Sequence, residues 1–435
     1  MSIELFQHNE KAYKAAVKML KMHKKAAIIH PTGTGKFFIG FKLCEDNPDS
    51  IICWLSPSDY IFKTQLENLK DVTNGYVPKN VRFFTYSKLT YLTDNELKAI
   101  SPNYIILDEF HRCGAEIWGQ SVQNLLSLYT DVPVLGLSAT NIRYLDNCRN
   151  MSDELFDNNI ASEITLEEAI VKGILPAPKY ITALYSYSKD FEKYEKRVLG
   201  YKSPGLKENA EKYLEALRRA IQESKGLDEI FYKHIQNMNS KYIVFCANKE
   251  HMDEMISHIG DWFCKIDNAP NVYRAYSNDL EASKEFSEFK SDKSEHLKLL
   301  FCIDMLNEGV HIDDIDGVIL FRPTVSPIVF KQQIGRALST GNNKCPVIFD
   351  IVDNIGNLYS IYSISAIEKE MQDAVQRLHE RGESKYIVND KFYIIDEVCS
   401  CRELFNKLKK ILRHHGILCL KKPVSIITHM VTCFR

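Results

Sequence analysis

Short apolar runs, each closing on small or charged polar residues and each followed by a stretch of helical spacing, recur along the 435-residue chain. The first, Ala26–Ile29, runs into HPTGTGKF and then the apolar FFIGFKL; SIICWLSPS, VRFFTYSKL, YIILDEFHR and VPVLGLSAT follow. Runs this short and continuously apolar are strands covered on both faces, and helices between them make the sheet parallel. The pattern predicts a doubly wound α/β domain. A second rhythm starts at KYIVFCANKEHMDEM and continues through FCKIDNA, VYRAYSN, LKLLFCIDMLNEGVHI, DGVILFRPT, a helix holding QQIGRALS, and CPVIFDIVD. Between the two, LEEAIVKGILPAPKY closes a helix and turns extended at Pro176 and Pro178, which reads as a hinge. Residues 188–238 are charged and helical in spacing, broken at Ser203, Pro204 and Gly205. Near the N-terminus Ala12, Ala15, Ala16, Met19 and Leu20 mark the apolar side of a helix, and its lysines read as a solvated face. The last stretch is mainly helical around a strand-like KFYIIDEV. The expected division is a first α/β domain at 1–168, a hinge and helical bridging segment at 169–238, a second α/β domain at 239–355 and a mainly helical extension at 356–435.

Several strand ends carry specific chemistry. HPTGTGKF has the form of a phosphate-binding loop between strand and helix. Gly33 and Gly35, beside Thr32 and Thr34, let the backbone curl so that N–H groups and the positive end of the next helix surround phosphate oxygens; Lys36 adds a point charge. The next position, where a serine or threonine hydroxyl binds Mg²⁺, holds Phe37. YIILDEFHR sets Asp108 and Glu109 at the carboxyl end of a buried strand, where ligands bind in such sheets. Asp108 is placed to hold Mg²⁺, and Glu109 to polarise the water that attacks a terminal phosphate; both are the expected metal-side acids. An acidic helix cap is the bland reading of that stretch alone, and a phosphate loop in the same chain displaces it. Ser138 and Thr140 can relay from the phosphate site to a neighbouring surface, or serve a turn or cap. Upstream, Gln7 and Asn9 offer amides able to read an adenine edge. In the second half, Asp304, Glu308 and Gly309 stand just past a strand end, and Gln332 and Arg336 lie one turn apart on one helix. An arginine on the rim of a second domain can stabilise the charge that develops on a nucleotide held by the first.

Composition narrows the class. Hydrophobic residues at 45% and charged residues at 26% are ordinary for a globular protein, and a formal net charge of −2 excludes a chain held on nucleic acid by overall charge. Any such contact has to be local. No apolar run reaches the roughly 18 residues of a membrane helix, and MSIELFQHNEKAYK lacks the core of a secretory signal, so the expected location is cytoplasmic with no membrane partner. The 12 cysteines, among them Cys53, Cys246 and Cys302 inside strand-like runs, form no C-x-x-C pair and read as reduced, buried thiols.

In sequence order these signals resemble the superfamily 2 helicases, nearest the DEAD/DEAH-box proteins that include the motor part of type III restriction enzymes. LFQHNEKAY resembles the amide motif, HPTGTGK motif I, LSPS Ia, FFTYS Ib, LDEFH II, LSAT III, VFCANKEH IV, DMLNEGVHI V and QQIGRAL VI. The resemblance covers about residues 5 to 340. It implies two RecA-like P-loop NTPase domains, parallel sheets flanked by helices, with a helical C-terminal extension. ATP with Mg²⁺ would lie in the cleft and a nucleic-acid strand, DNA before RNA, across both lobes. By the same resemblance Lys36 binds phosphates, Gln332 and Arg336 complete catalysis, and nucleotide contacts extend from Gln7, Asn9 and the loop to Asp304 and Gly309. Ser138 and Thr140 couple the ATP site to the strand, His111 faces Gln332, and Ser56, Pro57, Thr85, Asn248 and Ser277 contact nucleic-acid phosphates. A subunit of a restriction or defence system is the implied protein partner. Three positions depart from the pattern: Phe37; Ser339, where many members carry a second arginine; and the C-terminal end, which leads to the expectation of a truncated or divergent member. Phe37 also raises an alternative, a helicase-fold binding module with little ATP turnover.

Overall fold

In a computed structural model of the chain, residues 3–143, 149–183, 226–276, 282–303, 314–322, 327–338, 344–352, 363–389 and 393–397 are described, with isolated residues between 195 and 216. They build two parallel-sheet α/β domains flanked by helices, as the RecA-like cores of helicases are. The first sheet contains β1 (Lys25–Ile29), β2 (Ile52–Ser56), β3 (Val81–Thr85), β4 (Tyr104–Asp108) and β5 (Val134–Ser138). A two-stranded antiparallel piece, β6 (Ile142–Arg143) with β7 (Arg149–Asn150), precedes its last strand, β8 (Ile160–Glu163). The order is β3-β2-β4-β5-β1-β8, every pair in it parallel.

Neighbouring residues of one strand enter different cores, because successive side chains leave opposite faces. Ala26 and Ile28 of β1 join Trp54 of β2 and Phe41 on one face, whereas Ala27 and Ile29 join Leu55, Ile105 and Phe110 on the other. That double coverage is why these strands read as unbroken apolar runs. Three helices frame the loop face: α1 (Gln7–His23), α2 (Phe37–Asp46) and α3 (Asp59–Thr73). α1 buries Ala12, Ala16 and Leu20 and leaves Lys11, Lys14, Lys18 and Lys21 exposed, as a solvated face requires. α3 starts where Ser58 accepts the N–H of Ile61 at 3.2 Å.

The second sheet contains β9 (Lys179–Thr182), β10 (Lys241–Phe245), β11 (Asn271–Ala275), β12 (Lys298–Cys302), β13 (Gly317–Leu320), β14 (Val347–Asp350) and β15 (Tyr393–Asp396). Its order is β11-β12-β10-β13-β14-β9-β15, again parallel throughout. Here the structure departs from the pattern reading. β9 comes from the stretch read as a hinge and bridging segment, and β15 is the strand-like KFYIIDEV of the otherwise helical extension; both add to the second sheet beyond β14. The run FCKIDNA forms no strand, because the helix Ile259–Phe263 ends there in turns. The described helix of motif VI spans Pro327–Gly335, so Arg336 follows its end, its N–H on Gln333 O at 3.2 Å.

Among the described cysteines, Cys44, Cys53, Cys113, Cys246 and Cys302 are buried thiols, and Cys264 and Cys345 are exposed. No described helix is long and apolar enough to cross a membrane.

Candidate active site

The loop between β1 and α2 follows from its glycines. Gly33 and Gly35 have φ of +88° and +72°, the left-handed region that side chains rarely adopt. Thr34 is buried, its Oγ1 donating to Pro31 O at 2.8 Å. Beneath the loop, Asn9 Nδ2 donates to Thr34 O at 2.7 Å, and His30 Nδ1 lies 3.3 Å from Asn9 Oδ1. His30 Nε2 lies 2.8 Å from Ser162 Oγ, and His8 Nε2 2.9 Å from Thr34 O. Burial, the larger cause, and nearby positive charge push the pKa of His30 down to about 3, so its ring is neutral and bridges β1 to β8. Asn9, expected as a nucleotide contact, is fully buried and holds the loop from below through its bonds to Thr34 and His30. Gln7, the first residue of α1, is exposed.

Lys36 ends the loop with its Nζ 3.0 Å from Glu109 Oε1, both side chains nearly buried. Asp108, the last residue of β4, is 1% exposed; its Oδ2 accepts from Ser56 Oγ at 3.2 Å and Gln65 Nε2 at 3.0 Å. Tyr86 OH donates to its carbonyl at 2.8 Å. Glu109 stands at φ +52°, a strained conformation for a residue with a side chain. Burial raises the pKa of Asp108, and the Glu109 charge adds to it, against Lys36 and the two donors. Burial acts the same way on Glu109, but the Lys36 ammonium overrides it and holds that carboxyl below its usual range. The two acids are therefore set apart by environment, a pattern of acid–base sites.

His111 and Ser138 extend the cluster. His111 Nδ1 is 2.8 Å from Ser138 Oγ and 3.5 Å from Glu109 Oε2, and Ser138 Oγ donates to Glu109 Oε2 at 3.4 Å. The N–H of Ala139 reaches the same oxygen at 3.4 Å, and that of Thr140 reaches Ser138 Oγ at 3.3 Å. Gln332 and Arg336 are buried on the other lobe. The segment that carries them lies against the loop: a Cβ built on Gly33 would meet Leu338 O at 1.9 Å, and one on Gly335 would meet Thr32 Cβ at 3.0 Å. Only glycine permits the first approach; the second is tighter than ordinary contact.

Of the expected nucleic-acid contacts, Ser56 is buried and turned to Asp108, and Pro57 is half-buried beside it. Thr85 and Asn248 cap helices, accepting the N–H groups of Lys88 at 3.0 Å and His251 at 2.8 Å. Ser277, Asp304, Glu308, Gly309 and Ser339 lie outside the described residues. Gln65 was not legible as a site residue, since an amide in mid-helix carries no signal of its own.

The donor set fits Mg²⁺. This ion takes one or two carboxylates and completes its shell with phosphates and water, so it needs no protein cage; no group of three or more metal-binding side chains is present among the described residues. Phe37 takes no part. Its ring packs on Phe38 at 4.2 Å and edge-on to Phe41 at 6.2 Å, against the core on the α1 side.

Residues 2–143 match the family model of the type III restriction enzyme, res subunit, and residues 225–341 that of the helicase conserved C-terminal domain. The chain belongs to the superfamily 2 helicases of this restriction-enzyme-like kind. It is 24% identical over 297 residues to a 51.5 kDa protein of a Lactococcus phage, covering 66% of this chain and 58% of that protein. It is 22% identical over 351 residues to a putative helicase of a Sulfolobus islandicus filamentous virus, covering 78% and 57%. The chain thus spans less than two thirds of the length of both relatives. Its fold is similar to that of the DNA-bound type ISP restriction-modification enzyme LlaBIII, with a TM-score of 0.56 at 14% identity over 94% of this chain and 33% of that one.

Proposed function

We propose that the protein is an ATP-driven nucleic-acid translocase or helicase acting on DNA. The observation that carries this reading is the convergence of Lys36, Glu109 and Asp108 at one sheet end while the arginine-bearing segment of the other lobe abuts the same loop. The loop N–H groups and Lys36 would hold the β- and γ-phosphates of ATP, for which Lys36 exchanges Glu109. Mg²⁺, held on Asp108, would neutralise charge on the phosphates. Glu109, kept ionised, would orient and polarise the attacking water, and Arg336 would stabilise the charge that develops in transfer. The chain Glu109–Ser138–His111 would report the state of that water to the LSAT strand end, and so to nucleic acid bound nearby. Preference for DNA rests on the restriction-enzyme family model and on the DNA-bound structural relative. A partner subunit of a restriction or defence system is proposed on the same footing.

Phosphate release measured with and without DNA tests the reading. DNA raises the rate, and Lys36→Ala or Glu109→Gln lowers it by about 100-fold or more, the scale expected for loss of one essential electrostatic or proton-transfer group.

A further inference from the structure

Phe37 leaves the phosphate loop one metal ligand short, and the structure holds two donors on Asp108 instead. The sheet order puts β2 on one side of β4 and β5 with β1 on the other, so Ser56 at the end of β2 lies across Asp108 from the loop. Gln65 reaches the same carboxylate from α3, which packs over β2. Both bonds, 3.2 Å from Ser56 and 3.0 Å from Gln65, fall on Oδ2, and neither falls on Oδ1. Two donors from separate elements on one oxygen fix the rotation of the group and leave Oδ1 without a hydrogen bond among the described residues.

Gln65 has a cost that this role explains. Its side chain is 5% exposed, and its Oε1 is buried with no hydrogen-bond partner among the described residues. A buried acceptor left unmet costs about 1–3 kcal/mol, which an apolar side chain of the same size would avoid. The donating half of the amide is the part in use.

We propose that Gln65, supported by Ser56, is a positioning residue for metal-dependent nucleotide binding. It would hold Asp108 in one orientation for the metal, and that rigidity would replace the ligand absent at Phe37. This rests on the ATP reading of the site. Partners of metal-ligating groups typically govern metal affinity by 10-fold to 100-fold, so the effect is large enough to measure.

The test uses the full chain with Mn²⁺ and a non-hydrolysable ATP analogue. Electron paramagnetic resonance gives Mn²⁺ affinity in the ternary complex, and a fluorescent analogue in EDTA gives metal-free nucleotide affinity. Gln65→Leu is expected to weaken Mn²⁺ about 10-fold while metal-free affinity stays unchanged. Ser56→Ala shifts Mn²⁺ affinity in the same direction by less, and it serves if Gln65→Leu does not fold. Unchanged Mn²⁺ affinity in both variants overturns the inference while leaving the ATP reading intact. So does an equal loss with and without metal, which marks a packing effect. A wild-type protein whose nucleotide binding ignores metal overturns the ATP reading and this inference with it.

Discussion

His30 shows how one residue of the loop motif serves structure. Fully buried and neutral, it ties Asn9 on α1 to Ser162 on β8. Its folded pKa of about 3 lies below the ordinary histidine value of 6.5. Between those values the unfolded chain binds the extra proton, so stability contributed by the neutral ring is complete above pH 6.5 and is lost as pH falls toward 3. Urea melts at pH 7 and 5.5 should differ by about 1 kcal/mol more in wild type than in His30→Gln. At the same scale, Phe37→Ser restores a hydroxyl at the cost of a half-buried ring. On the proposed reading, in which Asp108 would hold the metal, turnover should change by less than about tenfold, or about 1.4 kcal/mol of barrier. A much larger gain favours the low-turnover alternative. Lys36 and Glu109 were legible in the sequence because strand-to-loop punctuation fixes where their side chains emerge. Gln65 was missed, and the bonds of Asn9 to the loop were not foreseen, because an amide's partner is decided by tertiary packing.

Elements were legible wherever burial on both faces writes an unbroken apolar run, as in β2 and β5. β8 is only half-buried at a sheet edge, and β9 follows two prolines and pairs with a strand much later in the chain. Neither local spacing nor composition marks such strands. Close packing of α2 on β2 makes its own prediction. A Cβ on Gly40 would sit 2.6 Å from the fully buried ring of Trp54. Alanine there gains up to about 1 kcal/mol of helix propensity and loses about 1–3 kcal/mol to overpacking. Gly40→Ala should therefore lower the denaturation midpoint, whereas an exposed helical glycine replaced by alanine raises it.

Across the whole molecule, the short helix Leu166–Val171 joins the first lobe to the second through its buried acids. Glu167 pairs with Lys331 at 2.6 Å on the motif VI helix, and Glu168 holds Arg377 at 3.1 Å on the helix Ser363–Glu380 and Arg381 at 2.6 Å just past its end. The arginines are half-exposed, which screens the pairs, so Glu168→Ala should cost about 1 kcal/mol, and faster hydrogen exchange in 363–389 should show it. The central claim is that this two-lobed assembly couples ATP hydrolysis to DNA. Steady-state phosphate release, measured alone and with single-stranded DNA, duplex DNA or RNA, tests it most directly. The account predicts slow release alone, a marked rise with DNA, and loss of that rise in Glu109→Gln. A rate indifferent to every nucleic acid, or undiminished in Glu109→Gln, would contradict it.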